Sequence, residues 1–598
     1  MKRNRLFFIA VFSLLFFACQ NPTSSSSPSP IPQPQPEPET LSLIHDYFTE
    51  IKSVKKETVP LYYEDKNIQD TLDYYYVNDE KSIPYLNAEG IVKLLTGSFS
   101  YGTEGYSLTV KKFEKGFLLT RENGSSAYFD STDNTITLDD FLNFIIFPGA
   151  ENGLDIVVTN NKDGKNPDKT IQHDSLFHRK GNPVQINLSK YKIKFIVSDN
   201  EILLPAQVVI DLFKSANVNP LYNENAFFFI IPTSLNNSEG EEPKEIVKKF
   251  RDVTPEKRSD ALKQFTYNEL CLSLDINYGL KKEHNIESFD KLFIDSGLFT
   301  DLFDDDAAKV HSALFKLTLN YFADKHSGTI ATSPKALSKF KPDFSVMINL
   351  LIEQTQLVKM YGITRQNYYP DGIKGYEEVG DTAFITFDSF KMQDINYYEA
   401  PLTNTTDDTL ILIMYANQQI RRENSPIKKV VLDLSNNSGG ECDTAVAVVA
   451  WMTGTCKLHL TNELTNESAT TLYTFDANRD HDSKTDSLDH KDDVADLKLF
   501  CLTSPVSFSC GNLVPAFLKE SDQVTLLGRT SGGGTCAVNF MSTADGTVFQ
   551  ISGHYKISLL KNGTDYDIDQ GVVPHLYISD VNHFYDRTWL ANYLDNLL

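Results

Sequence analysis

Apolar residues recur along this chain in three successive rhythms. Between residues 41 and 235, tyrosine, phenylalanine and β-branched residues come in short runs broken by ENGS, TDN, ENG and KDGKNPD. Such runs predict strands joined by tight turns. Within them Val77–Leu95 and Val197–Phe213 share a strand end, a polar turn, a Leu/Ile-Pro step at Pro84 or Pro205 and an amphipathic helix. The echo predicts N-terminal α+β modules built by duplication. After NNSEGEEP, which reads as a linker, the apolar spacing changes to three and four in EPKEIVKKF, PEKRSDALKQF and DDAAKVHSALFKLTLNYF, predicting a helical segment over residues 244–335. From residue 340 to residue 598 the rhythm changes again: DTAFITFDSF, then DDTLILIMYANQQIRREN, then KKVVLDLS. Strand, helix and strand in that order predict a layered α/β core.

The first 40 residues follow none of these patterns. MKRNR is a charged leader, LFFIAVFSLLFFA is an apolar run too short to span a bilayer comfortably, and Ala18-Cys19 closes it. Residues 1–19 are therefore read as a signal peptide. The Ala18-Cys19 step resembles a bacterial lipobox, which implies lipidation at Cys19 and a membrane partner reached through a lipid anchor. The expected location is the cell envelope, on the outer membrane or periplasmic face. Residues 20–40, QNPTSSSSPSPIPQPQPEPET, cannot bury a core and read as an extended tether.

Charge narrows the list of partners. With 80 acidic against 56 basic residues the net charge is -24, which disfavours nucleic acid and anionic membrane surfaces. Six cysteines follow Cys19, namely Cys271, Cys442, Cys456, Cys501, Cys510 and Cys536, with no CxxC pair. In an exported chain they could form disulfides, whose connectivity is not readable from spacing. The 12 histidines show no metal-ligand spacing, so neither metal nor cofactor is expected. The stretch Asp476, Asn478, Asp480, Asp482 has alternating oxygen ligands, but His481 stands where a calcium loop needs glycine and Ser487 where it needs glutamate. It reads as a solvated acidic loop.

Three separated stretches carry candidate chemistry. SPVSFSCGNL follows the strand-like LKLFCLTS and precedes the helix-like VPAFLKE. A serine at such a turn suits a nucleophile served by helix N-terminal amides, and it equally suits a helix cap. KKVVLDLSNNSGGECDTAVAVVAWMTG places paired glycines after a strand, where backbone amides can approach a ligand oxygen; a simple connecting loop has the same form. YFADKHSGT ends a helix on His326, a position open to a base or a C-cap.

Together these stretches resemble the S41 peptidases, the C-terminal processing or tail-specific proteases and their tricorn-like relatives. The family's DLRxNxGG turn is matched by Asp433-Leu434-Ser435-Asn436-Asn437-Ser438-Gly439-Gly440. Its nucleophile segment is matched by Ser507-Phe508-Ser509-Cys510-Gly511-Asn512, its glycine loop by Gly528 to Gly534, and its GVxPD signature by Gly571-Val572-Val573-Pro574-His575. The resemblance implies an α/β fold with a ClpP/crotonase-like core at the C-terminus, and a serine endopeptidase acting on a peptide or protein substrate. In this register Ser509 is the nucleophile. The lysine that serves as base in the processing branch is replaced by Gly534, and the tricorn-like D-x-H-S/T stretch is matched by Asp324-Lys325-His326-Ser327, making His326 the base. No glutamate stands near the closing signature, so Asp569 is the first choice of orienting acid and Asp567 the second. Gly439, Gly440 and Cys510 supply the oxyanion amides. Cys510 lies one step past the serine position, so its thiol is expected to turn into packing. The alternative is a catalytically inactive S41-fold surface lipoprotein acting as a binding protein. No clear PDZ signature lies between His326 and Asp433.

Overall fold

A computed structural model describes residues 41–64, 66–99, 106–146, 150, 152–157, 170–213, 219–236, 242–342, 344–393, 395–481, 490–561 and 564–597. The signal segment, Cys19 and the tether lie outside the described residues, as do Asp482 and Ser487 of the acidic loop. Among the described residues no helix is long and apolar enough to cross a membrane. The chain is mixed α/β, with two strand-rich sheets in its first part and two more in its last.

The first sheet has seven strands, running from Ile196–Ser198 through Glu201–Pro205, Glu80–Leu86, Lys66–Val77, Val54–Tyr63 and Phe227–Ile230 to Asn219–Tyr222. The two echoing stretches each form a strand followed by a helix, Glu80–Leu86 with Ala88–Phe99 and Glu201–Pro205 with Ala206–Phe213. Their strands pair antiparallel, Leu204 opposite Leu86 and Pro205 opposite Tyr85. A five-stranded antiparallel sheet lies between them in sequence, with the order Leu108–Phe113, Gly116–Arg121, Ser126–Asp130, Thr135–Leu138, Val184–Asn187.

The helical segment includes the 18-residue helix Asp260–Asn277, capped by Ser259, whose side chain accepts from the Leu262 amide. The helix Ala307–Leu317 passes into a wider turn over Thr318–Phe322 that ends at Ala323, a non-glycine residue at φ 49°. This ending reverses the chain and delivers Asp324 to Ser327 to the strand Gly328–Ala331.

Two sheets frame the last part of the chain. One has six strands in the order Tyr376–Val379, Thr382–Thr386, Lys429–Asp433, Lys498–Thr503, Val524–Gly528 and Leu576–Tyr577. Its first pair is antiparallel and the other pairings are parallel. Lys429–Asp433 is buried at every position, as a parallel strand covered on both faces requires. The helices Thr409–Ile420, Cys442–Thr453 and Cys510–Glu520 make the crossovers. The other sheet runs Gly328–Ala331, Val548–Lys561, Cys456–Asn462, Glu467–Phe475, Ile171–Arg179, and Cys536–Ser542 and Thr564–Tyr566 also pair with Val548–Lys561. Ile171–Arg179 thus crosses from the first part of the chain to pair with Glu467–Phe475. The cysteines after Cys19 are all free thiols.

Candidate active site

Three neighbouring parallel strands, Lys429–Asp433, Lys498–Thr503 and Val524–Gly528, end at one edge of their sheet. The loops beyond their carboxyl ends meet there, the place where open parallel sheets bind ligands. In the first loop Asn437 is the organiser: its Nδ2 donates to the Phe387 carbonyl at 3.1 Å and its Oδ1 accepts from the Gly439 amide at 2.9 Å. Gly439 and Gly440 have φ of 104° and 135°. A Cβ on Gly440 would stand 2.1 Å from the Phe390 carbonyl oxygen, and one on Gly439 would stand 2.7 Å from Ser509 Cβ. Only glycine lets this backbone reach the serine.

The second loop carries Ser509. Hydroxyls bolt it to the first: Ser504 donates to the Ser435 carbonyl at 2.5 Å and Ser507 to the Leu434 carbonyl at 2.7 Å. The Phe508 amide donates to the Asn437 carbonyl at 3.0 Å. Ser509 itself sits at φ 55° and ψ -123°, a conformation that costs a residue with a Cβ about 1–3 kcal/mol. It precedes the helix Cys510–Glu520 but makes no side-chain capping bond. Its hydroxyl is thus not used as a helix cap, one of the two roles open to it on sequence. The Cys510 amide opens the helix, where no intrahelical acceptor exists. The Cys510 thiol is buried and donates to the Gly440 carbonyl at 3.2 Å, away from the hydroxyl chemistry.

The third loop wraps the same turn. The Gly532 amide donates to the Ser507 carbonyl at 2.6 Å, the Ser509 amide to the Gly533 carbonyl at 2.9 Å, and the Gly534 amide to the Asp569 carbonyl at 3.1 Å. A Cβ on Gly534 would lie 2.6 Å from Phe508 Cε2 and 3.1 Å from His326 Cε1. A lysine at this slot would collide with the ring that stands there.

His326 arrives from the other sheet. Asp324 shapes its loop, with Oδ1 accepting from the His326 amide at 3.0 Å and the Ser327 amide at 2.7 Å, and Oδ2 accepting from the Tyr278 hydroxyl at 2.8 Å. Strand Val548–Lys561 anchors the loop: Gln550 Nε2 donates to the His326 carbonyl at 2.7 Å and the Ser552 hydroxyl to Asp324 Oδ1 at 3.0 Å. The ring packs on Phe508 with centroids 4.7 Å apart. Burial holds its pKa down to about 4, against the opposing pull of Asp324, so the ring is neutral at ordinary pH.

The structure therefore gathers Ser509, Gly439, Gly440 and Cys510 at one turn, with His326 packed on the residue before the serine. Among the described residues no hydrogen bond joins the Ser509 hydroxyl to the His326 ring, and none joins that ring to Asp569 or Asp567. Asp569 lies behind the glycine loop, and burial, with Asp567 adding to it, pushes its carboxyl up to about 7. Asp567 is exposed and accepts from the Asp569 amide at 3.0 Å. Sequence reasoning assigned no role to Asn437, although it lay inside the quoted glycine motif, or to the carboxylate of Asp324, although it opens the histidine motif.

Residues 382–578 match the model of Peptidase family S41. No curated protein matches the chain. Among solved structures, a lipoprotein from Streptococcus agalactiae is 16% identical with a TM-score of 0.30, over 53% of this chain and 91% of that one. A Parabacteroides merdae structure described as a candidate peptidase is 14% identical with a TM-score of 0.39, over 56% and 96%. The photosystem II D1 C-terminal processing protease is 18% identical with a TM-score of 0.22, over 33% and 42%. The strand-and-loop frame that presents Ser509 falls within the matched residues, so it is this C-terminal part of the chain that is similar to Peptidase family S41.

Proposed function

We propose that the chain is an exported serine endopeptidase, anchored to the cell envelope through a lipid on Cys19, that cleaves peptide bonds through an acyl-enzyme. The observation that carries this reading is Ser509: a strained residue at a helix start, its hydroxyl not engaged in capping, with the Gly439 backbone against it. Strain of this kind is kept where it serves a site.

In the proposed reaction Ser509 Oγ bonds to the substrate carbonyl carbon while its proton passes to the neutral His326 ring. The oxygen that becomes negative is held by the amides of Cys510 and Gly440, with Gly439 joining when its amide leaves Asn437. Each such donor is worth about 3 kcal/mol. The C–N bond then breaks and His326 gives the proton to the leaving amine. Water repeats the sequence on the ester and regenerates the hydroxyl. Asp569 is the acid that assists the imidazolium, with Asp567 behind it. The ring has to swing toward the hydroxyl as substrate enters, since hydrogen bonds of such sites commonly tighten only in the complex.

A second reading, a binding protein that keeps the fold without turnover, draws on the missing Ser509–His326 hydrogen bond. A fluorophosphonate probe separates the two. Labelling of the wild type that is lost in both Ser509→Ala and His326→Ala supports the peptidase. No labelling of a folded wild type, or labelling that survives Ser509→Ala, overturns it.

A further inference from the structure

Lys325 lies between the two residues that build and bear the histidine loop, yet its side chain is buried, with only 9% of the residue exposed. A lysine is almost never buried without a specific partner. Here the partner is the glycine loop: Nζ donates to the Gly532 carbonyl, and a Cβ on Gly532 would lie 2.8 Å from that nitrogen. The same nitrogen stands over the Phe508 ring, 5.4 Å from its centroid. The next carbonyl in the loop, that of Gly533, receives the Ser509 amide at 2.9 Å. One ammonium therefore touches the loop that holds the nucleophile, the ring that seats the base, and through the backbone the base itself.

We propose that Lys325 is a positioning residue: its ammonium clamps the histidine loop to the glycine loop and so fixes where His326 stands relative to Ser509. This rests on the reading of Ser509 and His326 as nucleophile and base. The ammonium also bears on the ring electrostatically. The charged groups around the pair are Asp324 on the same loop and Asp569 behind the glycine loop, with Asp567 beyond it. After burial, Asp324 favours the imidazolium and Lys325 opposes it. Burial brings the lysine itself down to about 8, with Asp569 working against that fall, so it is charged at neutral pH. Burial keeps the ring in the proton-accepting form, and the ammonium adds to that while it holds the loop in place.

The test compares the full-length wild type with Lys325→Met, which removes donor and charge, Lys325→Gln, which keeps a donor without charge, and Lys325→Arg, which keeps both. Fluorophosphonate labelling rate is one readout. The titration of the His326 ring by NMR, assigned with His326→Gln, is the other. Labelling is expected to slow roughly 10- to 100-fold in Lys325→Met, the cost of a misplaced catalytic group, and to recover in part in Lys325→Arg. The His326 midpoint is expected to rise in both uncharged variants. Wild-type labelling rates in Lys325→Met and Lys325→Gln, or an unmoved His326 midpoint in either folded variant, overturn the proposal. Should Lys325→Met not fold, Lys325→Gln carries both readouts. Should the folded wild type resist the probe altogether, the peptidase reading fails, while the ring titration still decides the clamp.

Discussion

The His326 ring lies against the Phe508 ring with centroids 4.7 Å apart and planes inclined at 56°, one residue before Ser509. The proposed base is seated by an aromatic contact from the turn of the proposed nucleophile. Phe508→Ala removes that seat and leaves a cavity where the side chain was buried. We expect kcat to fall roughly 10-fold or more with KM little changed, and stability to fall by about 3 kcal/mol. Peptidase kinetics and urea unfolding measure the two effects, and Phe508→Leu is expected to restore most of the stability and less of the rate.

The two glycines beside Ser509 are predicted to fail differently. A Cβ at Gly440 meets the Phe390 backbone carbonyl at 2.1 Å, the carbonyl that accepts from the Glu441 amide at 3.0 Å, so Gly440→Ala is expected to lower the thermal midpoint sharply. A Cβ at Gly439 meets the Ser509 side chain at 2.7 Å. Gly439→Ala is therefore expected to cost activity by about 100-fold or more through displacement of the hydroxyl, with a smaller loss of stability. Calorimetry beside probe labelling distinguishes them.

The acid side of the pH dependence of kcat/KM follows from two shifted groups. Asp569, raised to about 7 by burial, is a carboxylate only above that value, and His326, lowered to about 4, is neutral only above that one. Activity is expected to fall as pH drops through 7, and more steeply below 4, where both carry a proton. Asp569→Asn removes the upper step and leaves the lower, at a reduced plateau. A profile of Asp569→Asn that still breaks near 7 contradicts the assignment of that limb.

A buried pair supports the loop that leads to Gly439 and Gly440 from behind. Arg587 Nη2 donates to Asp433 Oδ2 at 2.6 Å, both side chains are almost wholly buried, and Asp433 Oδ1 accepts from the Ser435 amide at 2.9 Å. Arg587→Met leaves a buried carboxylate without its cation, which is expected to cost about 3–5 kcal/mol. Denaturant unfolding measures it; the double variant Arg587→Met, Asp433→Asn is expected to recover part of the loss.

How much of this was legible in the sequence depends on the range of the interaction that fixes it. The buried run at Lys429–Asp433, the glycines after it and the turn at Ser509 are local patterns, and each forms where its residues predict. The positive φ of Ser509 is not local: it is imposed by hydroxyls of Ser504 and Ser507 reaching carbonyls 69 and 73 positions away. The pairing of Ile171–Arg179 with Glu467–Phe475 is equally invisible, because alternation sets a strand's faces and not its neighbour. Lys325 fills the variable position of the histidine motif and has no role in sequence, and only its contact with Gly532, 207 positions on, gives it one.

The histidine loop is held by Gln550 and Ser552, residues that follow the nucleophile in the chain. A growing polypeptide therefore carries His326, the proposed proton acceptor, first, Ser509 much later, and the strand that holds the histidine loop after both. On the proposed reading, cleavage competence waits until Val548–Lys561 has paired with Gly328–Ala331 and holds the histidine loop. On the proposed reading, an unfinished molecule is spared from cutting itself or its neighbours.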